Sequence, residues 1–149
     1  MVVLKPYIYP VAGSGVLFCV DQIAKYIAHT HQVFRWYIIQ PWLGWEYFEN
    51  AGIAFSLPFP QLVLIGITPL ILLWFFIVLR KHIKKQPILL FSLSLIFLGA
   101  TSNLIDRMLF GITIDYIRIA TAILNIADIM IATGVGLIII NEWWTKKEN

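Results

Sequence analysis

Long apolar runs broken by short polar stretches set the pattern of this chain. Four runs approach the roughly 20 residues a helix needs to cross a bilayer. They cover about residues 7–28, 62–79, 88–104 and 124–140. Pro87, just ahead of the third run, suits the first turn of a helix. The third and fourth runs are slightly short, which predicts tilt-free packing or local bilayer thinning. Between the first two runs the pattern changes. Residues 33–39 and 45–48 are rich in β-branched and aromatic side chains, and a turn-like Gln-Pro-Trp-Leu-Gly stretch separates them. This predicts a small sheet lying on the membrane surface. A further β-like stretch, Gly-Ile-Thr-Ile-Asp-Tyr-Ile, occupies 111–117. With no internal repeat or low-complexity linker, residues 1–149 read as one integral-membrane domain.

Composition supports that class. Hydrophobic residues make up 60% of the chain and charged residues 13%, too apolar a balance for an ordinary soluble domain. The net charge of +3 matters less than its placement. Arg80, Lys81, Lys84 and Lys85 lie between the second and third runs, Lys146 and Lys147 follow the fourth, and Lys5 precedes the first. The positive-inside rule then puts both termini and the middle loop in the cytoplasm. The loops at about 29–61 and 105–123 face outward. Charges so distributed mark orientation, not nucleic-acid binding. Trp143 and Trp144 fit an inner interfacial belt; Trp36, Tyr37, Trp42, Trp45 and Tyr47 fit an outer one. The single cysteine, Cys19, excludes an internal disulfide and reads as a small buried hydrophobe. No Ala-x-Ala cleavage site follows the first run, so a retained anchor is expected. His29 and His31 lack a third ligand at zinc-like spacing. Ser14, between Gly13 and Gly15, and Thr-Gly-Val-Gly at 133–136 read as helix-packing patches.

The remaining polar residues gather toward the outer side. Asp21 and Lys25, one helical turn apart, are either a self-neutralising anchor or a support beside a site. Asn103 and Asp106 share a helix face. Asp106 reads as a compensated helix end paired to Arg107 or Lys25, or as a support. Asn103 and Arg107 carry several donors suited to holding a substrate backbone. Asn50 precedes Gly52, whose lack of a side chain permits close backbone approach. Asn125 and Asp128 also share a face, and Ala127 leaves room beside them. Carboxylates near a bilayer are costly and usually functional. Asp115 and Asp128, if they meet at one depth, would share a proton and support acid–base chemistry, although each could instead cap a helix N-terminus. A proton-coupled transporter would place such groups near the midplane. A purely structural partner would show no turnover.

Five segments in order resemble the lipoprotein signal peptidases (signal peptidase II), a bacterial aspartyl protease family. Asp21-Gln-Ile-Ala-Lys25 resembles the family's Asp-Gln-x-x-Lys, and the segment from Asn50 to Ser56 resembles Asn-x-Gly-Ala-Ala-Phe-Ser. Asn103-Leu-Ile-Asp-Arg107 resembles Asn-Leu-x-Asp-Arg, Ile114-Asp115 resembles Val-Asp-Phe, and Asn125-Ile-Ala-Asp128 resembles Phe-Asn-x-Ala-Asp. The chain departs from the pattern at Ser102, where the family has Gly, and at Ile53, where it has Ala. Glu49 adds a carboxylate, and the stretch from Asp115 to Asp128 is short.

The resemblance implies an all-α membrane protein: four transmembrane helices, a small periplasmic β-cradle and a short outer helix or loop. It implies removal of the signal peptide from a diacylglyceryl-modified prolipoprotein just before the lipidated cysteine, sensitivity to globomycin, and a monomer in the bacterial inner membrane with its site at the periplasmic face. Asp115 and Asp128 take the catalytic positions. Asn50, Gly52, Asn103, Arg107 and Asn125 take the substrate-binding positions, with Asp21, Lys25, Asp106 and Ala127 in support. No metal, cofactor or nucleic acid is implied; membrane lipid is the surrounding partner.

Overall fold

The computed structural model describes residues 5–52, 57, 59–82 and 87–148. Within them the chain forms α1 (Lys5–Thr30), β1 (Arg35–Ile39), β2 (Leu43–Asn50), α2 (Gln61–His82), α3 (Pro87–Phe110), β3 (Thr113–Ile119), β4 (Ala122–Leu124) and α4 (Ile126–Glu148). The basic residues Lys84 and Lys85 and the segment 53–56 lie outside the described residues.

All four helices are long and apolar enough to cross a membrane. The third span is longer than its apolar run suggested, covering the 24 residues Pro87–Phe110, while the fourth covers the 19 residues Ile126–Trp144. The polar residues Asn103, Asp106 and Arg107 lie in the last turns of α3, as their spacing suggested. They turn inward and the helix continues to Phe110. Gly111, at φ 71°, then stops it in the left-handed conformation, donating its N–H to the Arg107 carbonyl at 3.0 Å. At its other end Leu124 belongs to β4, and α4 starts only at Ile126.

Burial ranks the helices. In α3, 56% of the span is buried, against 6% in α2, so α3 is the central post and α2 is peripheral. Two glycines permit close packing of α3 on α4. A Cβ on Gly99 would stand 2.7 Å from the Ala127 carbonyl oxygen, and one on Gly134 would stand 2.5 Å from that of Ser92. Of the two patches expected, the one at 133–136 packs through Gly134 and the one around Ser14 buries that serine fully, while Gly13, Gly15 and Gly136 themselves face open space. Cys19 is likewise exposed, not buried. An apolar run in a helix of membrane length is not a mark of interior position, because its outward faces are also apolar where lipid is the solvent.

The four strands form one antiparallel sheet in the order β1-β2-β3-β4. Trp45 pairs with Ile117 and Phe48 with Asp115, so Glu46 and Tyr47 together oppose Tyr116. That bulge lets two residues of β2 face one of β3 and reorients the strand next to the acidic residues. Glu46, buried in the sheet, accepts from the Tyr37 hydroxyl at 2.9 Å and from Arg118, tying β1, β2 and β3 together. The arginine holds the Glu46 carboxyl below the usual range. Ala28 of α1 packs on Ile114 and Tyr116 of β3, and the Trp45 ring stacks on Tyr116 at 4.8 Å. Trp45 is thus partly enclosed, while Trp36 and Trp42 are exposed as an outer belt requires. No short extra helix occurs among the described residues; β3, a tight turn at Ala120 and β4 fill the space before α4.

Candidate active site

The sheet sits against the C-terminal ends of α1 and α3 and the N-terminal end of α4, and the acidic residues converge there. Asp115 is fully enclosed on β3. It accepts from the Asn50 amide at 3.0 Å and the Asn125 amide at 2.6 Å. Burial pushes the Asp115 carboxyl up to about 7, and the negative charge of Asp128 adds to the rise; the two amides and Lys25 pull the other way.

Asp128 occupies the third position of α4. Its backbone N–H donates to the Asn125 side chain at 2.8 Å, and its carboxylate approaches the Asn125 N–H at 3.4 Å. This is a reciprocal capping arrangement, with Asn125 as the N-cap. The capping role open to Asp128 in the sequence is therefore real, and it coexists with the second contact. The other carboxylate oxygen accepts from the Asn103 amide at 2.9 Å. Asp115 caps no helix; it lies within a strand.

One amide chain joins the two acids. Asn125 Nδ2 reaches Asp115, Asn103 Oδ1 at 3.2 Å and the Ile114 carbonyl at 3.3 Å, while Asn103 Nδ2 reaches Asp128. Behind this chain stands Lys25, buried between Asp106 at 2.8 Å and Asp21 at 3.1 Å. Its ammonium also donates to Asn103 Oδ1 at 2.8 Å, which fixes which way the amide points. Asp106 therefore pairs with Lys25 rather than Arg107. It also accepts the Ile114 N–H at 3.2 Å, holding the strand one residue from Asp115.

Not all the residues expected to contact substrate face open space. The amides of Asn50, Asn103 and Asn125 are engaged on the carboxylates and on one another. Arg107 is different. Its guanidinium makes a 3.4 Å contact to the Gly52 carbonyl, and its buried Nε has no hydrogen-bond partner among the described residues. A cavity of about 550 Å³ between α2, α3 and α4 has Asn103, Arg107 and Asp128 on one wall and apolar side chains such as Ile71 and Ile131 elsewhere. Ala127 is fully buried and packs where α4 meets α3, as its small size allows. Among the described residues no group of three His, Cys, Asp or Glu could hold a metal ion.

Sequence reasoning passed over two contributors. Tyr116 is buried, with its hydroxyl on Asp21 at 2.8 Å, and Ser102 donates to the same carboxylate at 2.5 Å. A polar group inside an otherwise apolar strand was the available signal for Tyr116, since a buried hydroxyl requires a partner.

Comparison with known proteins places this arrangement. The family model described as "Signal peptidase (SPase) II" matches residues 14–144. The "Lipoprotein signal peptidase" of Bartonella quintana is 37% identical, with 97% of this chain and 93% of the relative covered. That of Acinetobacter baylyi is 31% identical, with 87% and 78% covered. A solved structure described as a bacterial membrane enzyme, determined by the in meso method, superposes with a TM-score of 0.81 at 28% identity, covering 95% of this chain and 91% of the other. The match spans the helices, the sheet and both acids, and the chain belongs to the signal peptidase II family of proteases.

Proposed function

We propose that the chain is an aspartic endopeptidase that removes the signal peptide from diacylglyceryl-modified prolipoproteins, cutting just before the lipidated cysteine. The prolipoprotein substrate follows from the relatives' names. The aspartic chemistry rests on one observation: two buried acids on different elements, Asp115 and Asp128, joined through the Asn103 and Asn125 amides.

Two buried carboxyls brought within hydrogen-bonding reach of one another hold one proton between them and titrate as a unit. The ionised member takes a proton from a water, and the water attacks the scissile carbonyl. The protonated member polarises that carbonyl and later supplies the proton that the leaving amine needs. Asn103 and Asn125 orient the pair. Arg107 lines the cavity and its buried Nε has no partner among the described residues, which suits it to hold a substrate carbonyl; Gly52 lies beside it, its N–H on Asn50 Oδ1 and its carbonyl on Arg107. The enclosure of Asp115 means that substrate entry must open its cover. The apolar cavity suits the signal peptide's greasy segment, and acyl chains need no soluble pocket if the site lies at bilayer depth.

The orientation follows from charge. The start of α1, the end of α2, the start of α3 and the end of α4 lie at the end of the bundle opposite the sheet, and Lys5, Arg80, Lys146 and Lys147 belong to those helix ends. We place that end in the cytoplasm and the acids at the outer face of the bacterial inner membrane, with the protein acting as a monomer.

The deciding experiment incubates purified protein with a lipidated precursor and follows signal-peptide release with and without globomycin. Asp115→Asn and Asp128→Asn should each lower kcat by at least about 10³-fold while inserting normally. A variant that still processes the precursor at the wild-type rate removes its residue from the catalytic pair.

A further inference from the structure

The first turn of α4 carries Asp128, and its three leading N–H groups would be orphans in an isolated helix. Here each has a named acceptor. Ile126 N–H donates to the Tyr116 hydroxyl at 3.3 Å, Ala127 N–H to Asp21 Oδ1 at 3.2 Å, and Asp128 N–H to Asn125 Oδ1 at 2.8 Å. Two of these acceptors come from other elements, β3 and α1. The position of the Asp128 backbone is thus set from outside its own helix.

Asp21 is the hub of this arrangement. One oxygen accepts from Tyr116 at 2.8 Å and from Ala127; the other accepts from Ser102 at 2.5 Å and from Lys25 at 3.1 Å. Ser102 in turn accepts from Gln22 at 2.7 Å and Lys25 at 3.2 Å. The two hydroxyls clamp the carboxylate plane from β3 and α3. That plane locates Lys25, whose ammonium orients Asn103, whose amide holds Asp128. Neither hydroxyl belongs to the motif pattern that this chain resembles, which carries Gly at the position of Ser102 and Phe at that of Tyr116.

We propose that Tyr116 and Ser102 are positioning residues for the reaction: through Asp21 their hydroxyls hold the first turn of α4 and the Lys25–Asn103 relay in register, so that Asp128 faces Asp115 before substrate arrives. This rests on the assignment of Asp115 and Asp128 as the reacting pair. Pre-set geometry of that kind acts on the chemical step, since a small misplacement of a reacting group is felt in the transition state more than in binding. Neither Tyr116 nor Ser102 lines the cavity, so the effect is expected on kcat and not on KM.

Tyr116→Phe keeps the ring on Trp45 and removes only the hydroxyl; Ser102→Ala removes the other while preserving the helix. Steady-state cleavage of a lipidated precursor by each purified variant in detergent is compared with wild type and with Asp128→Asn. Tyr116→Phe is expected to lower kcat about tenfold, the scale of one hydrogen bond to a charged group, with KM within about twofold. Ser102→Ala should do the same and keeps the proposal testable if the tyrosine variant does not accumulate. A wild-type kcat in both variants, or a loss confined to KM or to the yield of folded protein, overturns the proposal. Full activity in Asp128→Asn would instead overturn the pair itself, so the two failures are told apart.

Discussion

Asp115 is costly to the fold, and the cost has a pH signature. Enclosed on β3 beside Asp128, its carboxyl is pushed up to about 7 from the ordinary 3.8. Between those values the unfolded chain releases the proton while the folded chain keeps it. The stability that Asp115 contributes is therefore full below the ordinary value and is lost as pH rises through the folded one. The Tm of the protein in detergent should fall across this window, and Asp115→Asn should flatten the fall; an identical slope in the variant would assign it to another group. At this scale the acids, Asn103, Asn125 and Lys25 were legible in the sequence, because polar side chains stand out in apolar runs. What each one does was less legible. The carboxamides that the resemblance assigned to substrate are committed to the carboxylates, and the partner of Asp106, left open between Arg107 and Lys25, is Lys25 on another helix. Spacing along one helix reveals shared faces but not which cation crosses from another helix. Cys19 failed for a related reason: hydropathy does not separate core from lipid face.

Among the elements, the α3–α4 contact decides where Asp128 can sit. Gly99 lies against the Ala127 carbonyl and the Ile131 side chain, one residue from Asp128, whereas Gly134 lies against Ser92 and Ile96 nearly two turns further along α4. Gly99→Ala should therefore separate the helices at the acid. It should lower stability by about 1–3 kcal/mol, the usual size of overpacking, and lower kcat with it. Gly134→Ala should cost similar stability while leaving kcat per folded molecule within about twofold, since additivity holds for sites well separated from the pair. Thermal unfolding and turnover measured on the same preparations separate the two effects. The elements themselves were largely readable. Four apolar runs became four helices, and the β-branched and aromatic segments became β1, β2 and β3. The boundaries around the site were read less closely: the polar motif Asn-Leu-Ile-Asp-Arg does lie at the end of α3, but its residues Asn103 and Asp106 are buried and the helix runs three residues further, to Phe110. The three-residue β4 was hidden as well: Ala122–Leu124 is too short to carry a period, and its last residue, Leu124, reads as the start of the fourth apolar run.

For the whole molecule, four helices that each cross the bilayer would return the chain to the side from which it started, so a single fact of orientation would fix the side of everything else. The sheet, Asp115 and the first turn of α4 stand together at one end, while the start of α1, the ends of α2 and α4 and the start of α3, with Arg80, Lys146 and Lys147, stand at the other. Trp143 and Trp144 are exposed near the C-terminal end of α4, where aromatic side chains anchor a helix at an interface. A transporter would carry its carboxylates midway along the spans. Here Asp128 is in the first turn of α4 and Asp106 in the last turns of α3, which suits chemistry at a membrane surface. A substrate whose lipid tails remain in the bilayer can present its peptide bond only at that level. The charge asymmetry then predicts sidedness that can be measured in intact cells. A fluorescent protein fused after Asn149 should fluoresce, and a phosphatase that is active only outside the cytoplasm should be silent at the same position. In a Cys19→Ser background, Gln32→Cys, exposed just after α1, should react with a membrane-impermeant thiol reagent once the outer membrane, if there is one, is opened. The opposite pattern would turn the acids toward the cytosol and sever them from a precursor whose lipidated cysteine has already crossed.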